Sequence, residues 1–152
     1  MIGQAISLTF AILGAAAVYG TDVFFCVVGR TALAHVSDAA LVETMGRLHE
    51  VADRRMPIFG VLGIAGALAS LAFSRVSWPW ALSAVAAQVL WIVYRSVAAP
   101  VNAELTRHVR SGLVPINARA LQARWDGVIV LRVVLMGLAV VALAGALVRS
   151  AR

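Results

Sequence analysis

Four apolar stretches, each close to the roughly 20 residues that a helix needs to cross a bilayer, take up more than half of this chain: 5–28, 57–73, 80–100 and 127–148. Backbone amides and carbonyls find no partners in hydrocarbon, so stretches of this kind must satisfy them internally, as helices. The expected fold class is therefore all-α: a four-transmembrane-helix bundle forming one integral membrane domain over residues 1–152. Composition agrees, since 62% of residues are hydrophobic and 13% are charged, about half the charged share of a soluble domain. The first stretch does not read as a cleavable signal, because its start lacks Lys and Arg and its apolar run is too long. A tight hairpin is expected at 74–79, where Trp78 and Trp80 would sit at the interface as aromatic anchors. Small residues four apart, Ala16 with Gly20 and Gly66 with Ser70, are expected to let helices approach closely.

The connecting segments carry their own helical signals. Ser37 can cap a helix start, and Leu41, Met45, Leu48, Ala52 and Met56 recur at three- and four-residue steps, which predicts an amphipathic helix over 38–56 that meets the second apolar stretch at Pro57. In the segment from Glu104 to Arg124, Gly112 and Pro115 act as breakers and Asn117 can cap a short helix ending near Trp125. Both segments are expected to cap one membrane face. Arg30, Arg47, Arg54, Arg55, Arg107, Arg110, Arg119 and Arg124 fall on that side, against Arg75, Arg149 and Arg152 on the other. The positive-inside rule then predicts cytoplasmic long loops and extracytoplasmic termini. The net charge of +6 comes without a basic run or interleaved aromatics, so no nucleic-acid partner is expected. Cys26 is the single cysteine; it forms no intrachain disulfide and reads as a small buried apolar residue.

Arg95 and Arg132 lie inside the third and fourth apolar stretches. A charge there costs about 3 kcal/mol on insertion scales, so each requires a partner or a route to water. At 1.5 Å per residue, Arg95, Arg132 and Asp22 all lie roughly 7 to 9 Å inside the capped face, which makes Asp22 a candidate counter-ion for one or both. Snorkelling of both arginines to the interface is the alternative. Gln88, Trp91, Arg95 and Asn102 fall within about 60° of one another around the third helix. Trp125, Arg132 and Met136 share a face of the fourth by the same arithmetic. Two Trp and Arg pairs lining one cavity would suit a flat, hydrophobic, oxygen-bearing molecule, with Arg donating to an oxyanion, carboxylate or quinone oxygen and Trp stacking on the ring. A polar clamp between helices is the bland reading of the same residues.

His49 is the best-placed acid or base, eight residues before Pro57 and with Asp53 four residues on as a potential orienting carboxylate. His35 and His108 read as solvated loop residues. No cofactor is called for by any motif: there is no His-x-x-x-His or Glu-x-x-His spacing, no Gly-rich phosphate loop and no nucleophile elbow. A metal would need a site assembled across helices from His49, Asp22 and Glu50.

Three blocks, HEVADRRMPIFGVLG from His49 to Gly63, APVNAEL around Asn102 and RWDGVIVLR from Arg124 to Arg132, resemble the signature blocks of the anthrone oxygenase-like family of small four-helix membrane proteins, along essentially the whole chain. The resemblance implies oxygenation of an anthrone-like polycyclic phenol to a quinone without a bound cofactor. It carries roles onto His49 as base, onto Arg132 and Arg95 as holders of the phenolate oxygen, onto Trp125 as stacking platform and onto Asn102, with Pro100 before it. The family pattern has His or Asn between the Trp and the Arg, where this chain has Ile129. Its expected partners are the lipid bilayer and a hydrophobic small molecule. A non-catalytic membrane subunit that binds or transports a small molecule, or that assembles as a homo-oligomer or within a larger membrane complex, is the competing expectation.

Overall fold

The computed structural model describes residues 2–73 and 77–150, and among them every regular element is helical. Helix α1 (Ile2–Phe24) passes through a π-helical turn (Phe25–Gly29) into the short α2 (Arg30–Ala34). Beyond it come α3 (Asp38–Arg55), α4 (Pro57–Ser70), α5 (Trp78–Ser111) and α6 (Ala118–Ser150). Three helical runs, Ile2–Ala34, Trp78–Ser111 and Ala118–Ser150, are long and apolar enough to cross a membrane. Their outward faces carry Phe10, Leu13, Leu82, Val89, Leu138 and Val141, all exposed, an apolar surface that only lipid or another apolar partner would cover. Helix α4 has 14 residues, about 21 Å at 1.5 Å per residue, so it is shorter than the stretch expected at 57–73. Of the hairpin expected at 74–79, positions 74–76 lie outside the described residues, as do Arg152 and, within that hairpin, Arg75.

Two boundaries differ from the sequence reading for identifiable reasons. The third helix does not stop at Pro100 but runs through it to Ser111. One proline removes one helical N–H, and neighbouring helices pack on both sides of the break. Gly112, with φ of 68°, is the true terminator. The short helix expected before Trp125 is instead the first turns of α6, continuous to Ser150.

The amphipathic α3 starts as expected, with the Ala40 amide donating to the Ser37 hydroxyl at 3.2 Å. Its buried face is Leu41, Val42, Met45, Gly46 and His49, while Leu48 is exposed. Gly46 sets its approach to α5: a Cβ there would come within 2.7 Å of the Leu105 carbonyl oxygen. Helices α1 and α4 are similarly close, but not at the small residues expected on α1. A Cβ at Gly14 would meet the Gly63 nitrogen and the Phe59 oxygen at 2.5 Å, and one at Gly66 would meet the Ser7 oxygen at 2.7 Å, whereas Gly20 faces open space. Trp78 and Trp80 are partly exposed at the end away from the cap, and the Trp78 indole donates to the Leu71 carbonyl at 2.7 Å.

Packing produces two cores. One, at the capped end, joins Leu33, Leu41, Met45, Leu105, Leu121 and Ile129. The other, deeper in the bundle, joins Leu8, Ala11, Ala15, Ala84, Met136 and Leu143. The charged residues of the apolar stretches, Asp22, Arg95 and Arg132, lie between them.

Candidate binding and proton-transfer site

The helices bring Asp22, His49, Asp53, Trp91, Arg95, Asn102, Trp125 and Arg132 around one cavity of about 70 Å³. The strongest element is an ion pair, Arg132 Nη2 to Asp22 Oδ1 at 2.6 Å, almost wholly buried. Its other carboxylate oxygen accepts from the Trp91 indole at 2.8 Å. The Arg132 guanidinium lies 5.2 Å from the Trp91 ring centre and 5.7 Å from that of Trp125, within cation–π range of both. One charge from α6, one from α1 and an indole from α5 thus tie three helices at a single depth.

The two arginines do not share Asp22. Arg95 pairs with Asp53 at 3.3 Å, and Asp53 also accepts from the Asn102 amide at 3.1 and 3.3 Å. Asp53 therefore anchors α5 to α3 rather than orienting His49, the role expected from its spacing. Gln88 also departs from expectation. It is buried one to two turns deeper, with its amide donating to the Ala84 carbonyl at 3.3 Å, and it does not line the cavity. Met136 belongs to the deeper core rather than to the cavity wall.

Phe25 was not expected in this site. It begins the π-helical turn, lines the cavity and meets Trp125 edge-on, with ring centres 5.3 Å apart. A π-turn adds a residue to the helical cycle and rotates the side chains beyond it, and regular helix arithmetic cannot anticipate it.

His49 packs its ring 5.8 Å from that of Trp125. Burial lowers its pKa from 6.5 to about 4, opposed by the Asp53 charge and assisted by that of Arg132. At neutral pH the imidazole is uncharged. Its Nε2 has no hydrogen-bond partner among the described residues, and neither do Asn102 Oδ1, Trp125 Nε1 and Arg132 Nε. Buried polar atoms are nearly always paired, so four orphans on residues that line one cavity single it out as the candidate site. Two are donors, Trp125 Nε1 and Arg132 Nε; the others are an acceptor, Asn102 Oδ1, and a titratable nitrogen on His49.

Of the residues considered for a metal, Asp22 and His49 line the cavity and Glu50 does not. Glu50 pairs with Arg110 at 2.9 Å and with Arg47 at 3.5 Å, and among the described residues no three His, Cys, Asp or Glu side chains form a ligand group. His108 lies against Glu104, Nε2 to Oε1 3.1 Å, and Cys26 is partly buried. Ile129 is fully buried in the capped-end core and does not line the cavity. Comparisons with protein-family profiles, with curated proteins and with solved structures each found no match.

Proposed function

We propose that this chain is a four-span membrane protein that binds a flat, hydrophobic, oxygen-bearing aromatic molecule and removes a proton from it, as in oxygenase-like conversion of a phenol to a quinone. The observation that carries the reading is the set of four unpartnered buried polar atoms, on His49, Asn102, Trp125 and Arg132, around one cavity. In this reading α4 is the fourth span, the arginine-rich cap faces the cytoplasm and the termini face outward.

His49 accepts the substrate proton at Nε2. An imidazole with a pKa of about 4 is a weak base toward a phenol in water, but here the imidazolium and the oxyanion form together. Two opposite charges about 4 Å apart attract by about 4 kcal/mol at an effective dielectric constant of about 20, equal to about three pKa units, enough to offset the effect of burial. In this reading Arg132 Nε and Trp125 Nε1, both without partners among the described residues, donate to the oxyanion, and the Trp125 face holds the ring. The electron-rich carbanion then reduces dioxygen. For an anthrone the methylene carbon loses two hydrogens and gains one oxygen, while the second oxygen atom leaves as water. All four electrons come from the substrate carbon, so no external reductant enters. His49 and Asp53 also line a water-facing depression with Glu50, Arg54 and Arg110, a route by which the proton can leave.

Oxygen uptake by the protein in nanodiscs supplied with an anthrone tests this. Quinone formation well above the rate given by His49→Ala is expected, and equal rates would remove the catalytic reading. The same cavity shares lining residues with both the water-facing depression and a groove between α4 and α5, which it meets at Met56, Trp91 and Arg95, and this supports a non-catalytic binding or transport subunit as the second reading. Retained binding without oxygen uptake would select it.

A further inference from the structure

The groove is lined on one side by Met56, Pro57, Gly60, Val61 and Ile64 of α4, and on the other by Trp91, Ile92 and Arg95 of α5; its volume is about 230 Å³. Met56, Trp91 and Arg95 line the polar cavity as well, so groove and cavity meet at a doorway formed by these three side chains. Apart from Arg95 at the doorway, the groove wall is apolar.

Its direction is defined by the two helices. Helix α4 leaves the cap at Met56 and descends to Ile64, while α5 climbs from Trp91 to Arg95 toward the cap. The groove therefore begins at the depth of the polar cavity and extends about 12 Å, at 1.5 Å per residue, toward the middle of the bundle. Its floor is open because residue 60 is glycine: a Cβ there would meet nothing within 4 Å. Beneath Trp91 a further small void reaches Val18, Gln88 and Met136, and the buried Gln88 Oε1 has no partner among the described residues.

Size separates the two compartments by chemistry. A cavity of about 70 Å³, about half of the roughly 150 Å³ that encloses benzene, takes in the oxygen-bearing edge of a ring and not the whole of it. The remainder of any larger hydrophobic molecule must leave through the doorway into the groove. We infer that the α4–α5 groove seats the aliphatic tail of a membrane-borne ligand whose single aromatic ring sits at the doorway with its oxygen-bearing edge in the His49–Trp125–Arg132 cavity; the substrate class is a tailed monocyclic phenol, or the quinone derived from it, entering sideways from the bilayer. This rests on the proposed cavity ligand and narrows it. Such an amphiphile already lies in a leaflet with its oxygens near the interface and its tail toward the midplane, the orientation that cavity and groove together require.

A pair of probes separates head from tail: tetramethyl-1,4-benzoquinone, and the same ring with one methyl replaced by a decyl chain. Each is titrated into protein in phosphatidylcholine nanodiscs, in a Trp78→Phe, Trp80→Phe background that leaves Trp91 and Trp125 as fluorescent reporters. Both probes are expected to quench the unaltered site. Gly60→Leu, which fills the groove floor and favours the helix, is expected to weaken the decyl probe by about tenfold, the scale of an overpacked contact, and to leave the tetramethyl probe within about twofold. Ile92→Phe, filling the same groove from α5 without adding a reporter, should repeat the pattern. A diazirine at the tail end should label Val61, Ile64 or Ile92 in the unaltered protein and lose those adducts in Gly60→Leu.

Equal effects of Gly60→Leu on both probes, or labelling centred on outward residues such as Val134 and Leu138, would overturn the tail assignment while leaving the ring site standing. Quenching by neither probe would instead remove the ring site, and the tail assignment with it.

Discussion

Neutralising one member of the Asp22–Arg132 pair should be far more damaging than neutralising both. The side chains are 3% and 11% exposed and their charged atoms lie 2.6 Å apart, so neither charge is hydrated once its partner is lost. Breaking a buried pair by removing one member costs about 3–5 kcal/mol, whereas replacing both with neutral groups is often close to neutral. The two single variants differ in kind. Asp22→Asn leaves a guanidinium that cannot shed its charge. Arg132→Met leaves a carboxylate that can take up a proton, at about 1.4 kcal/mol for each of the roughly three units between its free pKa and pH 7. That caps the penalty at about 4 kcal/mol at pH 7 and lowers it to about 1.5 kcal/mol at pH 5.

Reversible unfolding by SDS in mixed micelles, followed by circular dichroism at both pH values, measures all three variants. Asp22→Asn is expected to lose about 3–5 kcal/mol at pH 7, Arg132→Met to recover substantially at pH 5, and the double variant to lie within about 1 kcal/mol of the parent, giving a coupling of at least about 3 kcal/mol. Additive single effects, or an Asp22→Asn cost below about 1 kcal/mol, would show that water or lipid headgroups hold these charges, and would refute the buried-pair reasoning.

The burial of His49 also makes stability depend on pH. Its pKa is about 4 when folded and 6.5 otherwise, so between those values the unfolded chain binds more protons, and stability falls as pH drops from 6.5 toward 4, by roughly 3 kcal/mol at most; the same unfolding assay on His49→Gln should show this part of the slope removed. Close helix contact should appear at some glycines and not others: Gly14→Ala, whose Cβ would meet backbone at 2.5 Å, should cost about 1–3 kcal/mol, while Gly20→Ala, facing open space, should stabilise by up to about 1 kcal/mol, both read by the same titration.

Which parts of the site are legible in the sequence depends on whether a helix is regular between the residues compared. Asp22, Arg95 and Arg132 can be set at one depth because rise per residue is insensitive to small angular errors. Trp125 and Arg132 share a face because α6 runs unbroken past both. Gln88 fails for a geometric reason: it shares an angular stripe with Arg95, but seven residues place it about 10 Å deeper, among different neighbours. Partner choice is less legible still. Asp53 sits four residues after His49, yet the donors that reach it come from Arg95 and Asn102 on another helix, and spacing along α3 carries no information about α5. Pro100 and the π-helical turn at Phe25 mislead in opposite senses, one a breaker that tertiary packing overrides and the other an irregularity with no glycine or proline at its start to announce it.

The charge balance of the cavity narrows what the site can hold beyond what its shape does. Each arginine is matched by its own carboxylate, Arg132 by Asp22 and Arg95 by Asp53, and His49 is uncharged at neutral pH, so the ionisable wall sums to zero. A carboxylate or phosphate ligand, admitted by the residue types alone, would enter with a charge that no free cation on the wall neutralises, and would lose its hydration to do so. A neutral phenol carries no such cost. In the proposed reaction its charge would appear only when His49 takes the proton, and then as one half of a pair whose other half forms beside it. The same neutrality suits the proposed entry from the bilayer, because a molecule that dissolves in lipid would reach the α4–α5 groove uncharged and would ionise only after passing the doorway at Met56, Trp91 and Arg95.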